Sequence, residues 1–211
     1  MQRLLVPAIA CLLLAGAGRV QAQAEVFAID PVHTRVAFRI DHAGLSKAIG
    51  TFSGTTGELR FDPEDWSSAT IDVVIPLAGL DIGSHDWRDK VLDRTFLDAG
   101  QQASARYVST RVEPGDPGKA RVFGLLTLRG VTREVALDVQ LNALKRHPLT
   151  LRRTAGFSAT GRLSRRDFGM DAWARLVGDE VELMIEVEAV RGRKAQPSPT
   201  PEPADADQES R

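Results

Sequence analysis

Arg121-Val-Phe-Gly-Leu-Leu-Thr-Leu128, Arg129-Gly-Val-Thr132 and Arg133-Glu-Val-Ala-Leu-Asp-Val-Gln-Leu141 form the stretch that decides the fold. On its second limb Val135, Leu137, Val139 and Leu141 share one face, and Glu134, Ala136, Asp138 and Gln140 share the other. A period of two marks a strand with one buried and one wet face. The first limb places Val122, Gly124, Leu126 and Leu128 on a common face. Gly130 between the limbs supplies the positive φ that a tight hairpin turn requires.

The pattern recurs along the chain. Val36, Phe38 and Ile40 alternate with Arg35, Ala37 and Arg39. Leu59 and Phe61 point one way before Asp62-Pro63 ends their run, and Ile71, Val73 and Ile75 do the same before Pro76. Arg106 to Val112 is weaker, with Tyr107 and Ser109 opposite Val108, Thr110 and Val112. Phe157, Ala159, Gly161 and Leu163 share a face, as do Val181, Leu183, Ile185 and Val187. With the two limbs of the hairpin this gives eight strands, and mostly short connections predict an antiparallel barrel or sandwich. No βαβ rhythm points to a parallel sheet. One long connection breaks the series. Ser84 fits an N-cap, and Trp87, Val91, Leu92 and Phe96 fall at helical spacing, which predicts an amphipathic helix over 84–98. A second short helical turn is expected over Ala43 to Ile49.

The ends read differently. Residues 1–24 carry Arg3, an apolar run and Ala22-Gln23-Ala24, the pattern of an export signal with its cleavage site. The single cysteine, Cys11, lies inside that run, so the mature chain would have no thiol or disulfide chemistry. From 191 to 211 the chain is rich in Pro, Ala and acidic residues, the composition of a disordered tail. One domain over 25–190 remains. Removing two basic residues with the signal, and four of each sign with the tail, leaves 21 basic and 24 acidic residues. Nucleic acid is therefore not an expected partner. Stable membrane insertion is not expected once the signal is removed.

Motifs for catalysis are missing. His33, His42, His85 and His147 include no pair at helical metal spacing, so no metal site is expected. Gly50-Thr-Phe-Ser-Gly54 does not match a nucleophile elbow. His33 and His42 flank a strand, where they can meet a ligand at a rim or pin a loop. Arg88-Asp89 and Arg165-Arg166-Asp167 can tie segments by salt bridges, or their arginines can receive a phosphate head group. Inward apolar residues can fill a barrel or line a cavity. Gly124, Ala159 and Gly161 on such faces leave room for a cavity.

Phe27-x-Ile-Asp-Pro-x-His-Thr-x-Val-x-Phe-x-Ile-x-His42, Gly124-x-Leu-Thr-Leu-x-Gly-Val-Thr132 and Arg166-Asp-Phe-Gly-Met170, with Arg88-Asp89 and Phe96-Leu-Asp98 between them, resemble the YceI-like family of lipid- and polyisoprenoid-binding proteins. Val91-Leu92 stands where that family often has His-Leu, and Thr95 where it often has Asp. The resemblance implies an all-β, eight-stranded antiparallel, lipocalin-like barrel with one amphipathic helix in its long connection. It also implies a periplasmic location and an isoprenoid or other long-chain lipid in an apolar tunnel, with neither cofactor nor catalytic residues. The tunnel candidates are Val36, Phe38, Ile40, Leu59, Phe61, Ile71, Val73, Ile75, Leu126, Leu128, Val135, Leu137, Val139, Phe157, Leu183 and Ile185. The polar rim candidates are His33, His42, Arg88 and Arg166. A second copy of the chain is a further candidate partner, as a homodimer. The competing readings are an enzyme acting on a lipid-like substrate and a filled barrel serving as an interaction module.

Overall fold

A computed structural model describes residues 24–192; the segments read as export signal and tail fall outside the described residues, apart from their innermost positions. The strands are β1 (Glu25–Ile29), β2 (Arg35–His42), β3 (Ser46–Phe52), β4 (Thr56–Phe61), β5 (Thr70–Pro76), β6 (Leu80–Asp81), β7 (Ser104–Pro114), β8 (Lys119–Leu128), β9 (Val131–Arg146), β10 (Arg153–Ser164) and β11 (Val177–Arg191). One helix, α1 (His85–Leu92), lies between β6 and β7.

All pairings are antiparallel, and eight strands close a ring in the order β1-β4-β5-β7-β8-β9-β10-β11. Closure comes from Phe27 opposite Arg191 and Ile29 opposite Ala189. The long β11 has a second use for the same edge. Its N-terminal part pairs with β2, from Val177 opposite His42 to Glu186 opposite Arg35. At that level β2 and β3 take over the wall from β1 and β4, and β6 extends β3. Closure removes the edges of the eight-stranded ring, while β3 is covered on its outer side by β6 only at Thr51 and Phe52.

The opening hairpin folds as the alternation predicts. Arg129 and Gly130 have φ of 54° and 73°, the two positive values of a type I′ turn, and Leu128 pairs with Val131. The helical turn expected over Ala43 to Ile49 is a hairpin instead. Ala43 and Gly44 both have positive φ, Leu45 N–H donates to the His42 carbonyl at 3.1 Å, and β3 follows. The expected facing of β7 is also corrected. A bulge between Ser109 and Arg111 inserts one residue, so Tyr107 and Val112 both point inward. The long connection is helical only to Leu92; Ser84 caps it, and residues 93–102 continue as turns.

One end of the barrel is plugged by aromatic side chains. Phe61 meets Trp66 and Phe157 edge-on, with ring centroids 5.1 and 5.4 Å apart. Phe27, Ala155 and Ala189 beside them are fully buried. Edge-to-face rings add about 0.5–1.5 kcal/mol per pair beyond their burial, so this end is a fixed floor. Among the described residues no helix is long and apolar enough to cross a membrane.

Candidate ligand-binding cavity

Above that floor the barrel encloses a cavity of about 660 Å³. All sixteen tunnel candidates line it: Val36, Phe38 and Ile40 from β2, Leu59 and Phe61 from β4, Ile71, Val73 and Ile75 from β5. Leu126 and Leu128 come from β8, Val135, Leu137 and Val139 from β9, Phe157 from β10, Leu183 and Ile185 from β11. Strict alternation brings them together, because each strand turns every second side chain to the axis. The volume is within the usual range for a small-molecule site, about 300–1,000 Å³.

Two expectations about the wall need correction. Gly124 and Gly161 face inward, but neither leaves empty space. A Cβ on Gly124 would lie 2.4 Å from Cζ of Tyr107, and one on Gly161 would lie 2.7 Å from Cδ2 of Leu137. Each glycine gives its place to a neighbouring side chain. Gly50 does the same for Phe38, whose ring would be 2.5 Å from a Cβ there. The Tyr107 hydroxyl is within hydrogen-bonding reach of the Val122 and Val135 carbonyls, at 3.3 and 3.2 Å. Burial, and secondarily the charge of Glu134, pushes the phenol above its ordinary pKa, so it stays a neutral donor.

The polar rim is also redrawn. Only His42 of the four rim candidates lines the cavity. His33 sits at the other end of β2, where its Nδ1 lies 3.3 Å from the Asp30 carboxylate and helps hold the 30–34 turn. Arg88 turns away from the cavity and ties α1 to the chain before it, donating to the carbonyls of Leu80 at 3.0 Å and Ala78 at 2.9 Å. Arg166 is exposed, its Nε 3.8 Å from Asp179. Their neighbours take the positions instead: Lys90 on α1 and Arg165 after β10 both line the cavity.

Arg165 is the largest fully buried side chain, 2% exposed. Its guanidinium donates to the carbonyls of Gly178 at 2.7 Å, Val177 at 2.9 Å, and Met170. Burial pulls it below the usual arginine pKa, and the charge of Arg166 adds to that. Arginine supplies a rigid fork of donors that lysine lacks. Arg165→Lys should therefore keep the charge but lose part of the brace, costing about 1–2 kcal/mol, as read from urea unfolding midpoints.

The mouth is built from four connections, β2–β3, β6–β7, β8–β9 and β10–β11. The His42 ring meets Trp87 of α1 at a tilt, with centroids 5.4 Å apart, and Ala43 N–H donates to the Leu176 carbonyl at 2.7 Å. Arg129, in the β8–β9 turn, spans the Arg94 carbonyl at 3.0 Å and the Gly169 carbonyl at 2.5 Å. Trp87, Trp173 and Leu176 line the opening and remain part-exposed. Lower in the wall the buried Thr55 hydroxyl has no hydrogen-bond partner among the described residues.

Comparison with known proteins agrees with this architecture. The model of the YceI-like domain matches residues 27–189. A UPF0312 protein of Serratia proteamaculans is 38% identical over 162 residues, covering 76% of this chain and 83% of that protein. One from Pseudomonas fluorescens is 36% identical over 183 residues, covering 84% and 91%. Among solved structures, BcnA of Burkholderia cenocepacia superposes with a TM-score of 0.66 at 21% identity, over 74% of this chain and 95% of that one. A polyisoprenoid binding domain from Saccharophagus degradans, implicated in plant cell wall breakdown, gives 0.57 at 13% identity, over 81% and 99%. These two likenesses are of fold. With the family model spanning most of the chain and relatives above 30% identity, this protein belongs to the YceI-like family.

Proposed function

We propose that this chain is an exported binding protein that holds an isoprenoid or similar long-chain lipid inside its barrel, as a carrier, buffer or sequestering protein. The observation that carries the reading is a cavity of about 660 Å³, floored at one end, whose wall is apolar apart from a few groups near the mouth, two threonines and the Tyr107 hydroxyl. Such a space rewards an apolar chain: burying hydrocarbon contributes about 0.8 kcal/mol per methylene, less the cost of ordering the chain. The polyisoprenoid binding domain of Saccharophagus degradans, with the same fold, adds support. Export rests on the sequence of residues 1–24. The filled-barrel reading loses ground to the cavity. Of His33 and His42, on which the enzyme reading would draw, only His42 lines the cavity.

The test is mass spectrometry of organic extracts of the protein purified from its native host by osmotic shock. The expected result is a chain beginning at Glu25 with close to one isoprenoid or long-chain lipid per protein. A clean extract, together with failure to take up added isoprenoids, would sink the reading.

A further inference from the structure

The cavity is polarised along its axis, and this deepens the lipid-holding reading, on which the inference rests. We propose that the ligand's head group is an anion, a carboxylate or a phosphate, held at the mouth by Lys90 and Arg165, with its hydrocarbon tail running down to Trp66.

The charged side chains and the imidazole of the lining are Asp41, His42, Lys90 and Arg165. Contacts place them at one end. Arg165 holds the carbonyl of Val177, Val177 pairs with His42, and the His42 ring packs against Trp87. Trp87 and Lys90 are three apart on α1, hence neighbours on one helix face. The floor offers apolar side chains to a ligand, among them Phe61, Trp66 and Phe157.

The charges at the mouth do not cancel. Arg165 has five N–H donors, and its three hydrogen bonds all go to neutral carbonyls. Asp171 and Asp179 act on it only through space. Asp179 is itself engaged by the Ser164 hydroxyl and the Arg166 N–H. The Lys90 ammonium makes no hydrogen bond or ion pair among the described residues, and it reaches Asp93 only through space. Asp41, the one acid of the lining, accepts the Gly44 N–H at 2.9 Å and so is turned to its own hairpin. Two cations against one occupied carboxylate favour an anion, and the low dielectric around Arg165 strengthens its field. A neutral head would leave that field unused.

The experiment measures uptake of hexadecanoate, hexadecyl phosphate and hexadecanol by the delipidated protein at low salt. The expected result is that an anion binds at least about tenfold more tightly than the alcohol. Preference for both anions supports a site for charge, and preference for one supports that source, fatty carboxylate or lipid phosphate. Lys90→Met should remove most of the preference, weakening the binding of the anions several-fold more than that of hexadecanol. Equal binding of the three by the unaltered protein would overturn the inference while leaving the lipid reading standing. Retention of the full preference by Lys90→Met would overturn the assignment to Lys90, and its retention by a folded Arg165→Met protein would overturn the assignment to Arg165. No uptake of any of the three would overturn the lipid reading and this inference together. Orientation is read in the Trp87→Phe/Trp173→Phe variant, which keeps Trp66 as the sole tryptophan. Hexadecanoate brominated at its terminal carbon should quench Trp66 more than hexadecanoate brominated beside the carboxylate; the reverse order would overturn the proposed direction.

Discussion

Leu137→Asp should abolish lipid uptake and destabilise the barrel by about 2–4 kcal/mol, the range for a charge turned into a half-buried apolar wall without a partner. Leu137 stands opposite Val122 on β8 and Gly161 on β10, and it lines the cavity. Its δ carbon occupies the space that Gly161 leaves. A carboxylate there meets hydrocarbon and no donor side chain. Burial then raises the new group's pKa above its unfolded value. The penalty, taken relative to the unaltered protein, is therefore full at neutral pH and shrinks as the pH falls from about 7 toward about 4. Asp138→Ala, one residue away, is the control. Asp138 faces solvent, 3.8 Å from Arg121 Nε, and such exposed pairs contribute under about 1 kcal/mol. Urea unfolding and isoprenoid uptake of the two variants check the facing. A Leu137→Asp protein with unchanged midpoint and uptake would refute it.

That one-residue contrast also explains what was legible in the sequence. The sixteen wall residues could be read because period-two alternation is a direct projection of an inside and an outside. β1 escaped because Phe27, Ala28 and Ile29 are all buried, so no wet face alternates with the dry one. β3 escaped for the opposite reason. Its inward positions include Ala48 and Gly50, and the Phe38 ring fills the space above Gly50. A strand whose apolar surface is supplied by its neighbour carries no apolar pattern of its own. The shared edge of β11, which lets β2 replace β1 in the wall, is a matter of register between segments more than a hundred residues apart.

The mouth was less legible than the wall. Helix phase decides between Arg88 and Lys90: two residues rotate the side chain by about 200°, which sends Arg88 to backbone carbonyls and leaves Lys90 on the cavity. Between Arg165 and Arg166 no period applies, because they lie where β10 passes into a 3-10 turn. Only the folded loop from Met170 to Gly178, with its carbonyls turned inward, selects Arg165 as the buried one.

The same dependence on a neighbour governs the second large effect, at Gly124. Gly124→Val should reduce lipid uptake at least about tenfold and cost about 1–3 kcal/mol of stability, the usual penalty of overpacking. Valine suits a strand, so the backbone is not the obstacle. The obstacle is Tyr107, whose Cζ and hydroxyl would lie 2.4 and 2.6 Å from the new Cβ. The ring has carbonyl partners at Val122 and Val135 where it now rests. Displaced, it swings toward the axis, because the sheet blocks the other side. There it loses those partners and occupies space in a cavity of about 660 Å³. Tyr107→Leu in the same chain should restore most of the uptake and part of the stability, since a shorter side chain leaves the valine its room. The pair forms a double-mutant cycle, and contact between the two sites requires strong non-additivity. Additive losses, or a Gly124→Val protein with full uptake, would show that the tyrosine ring does not set the width of the cavity.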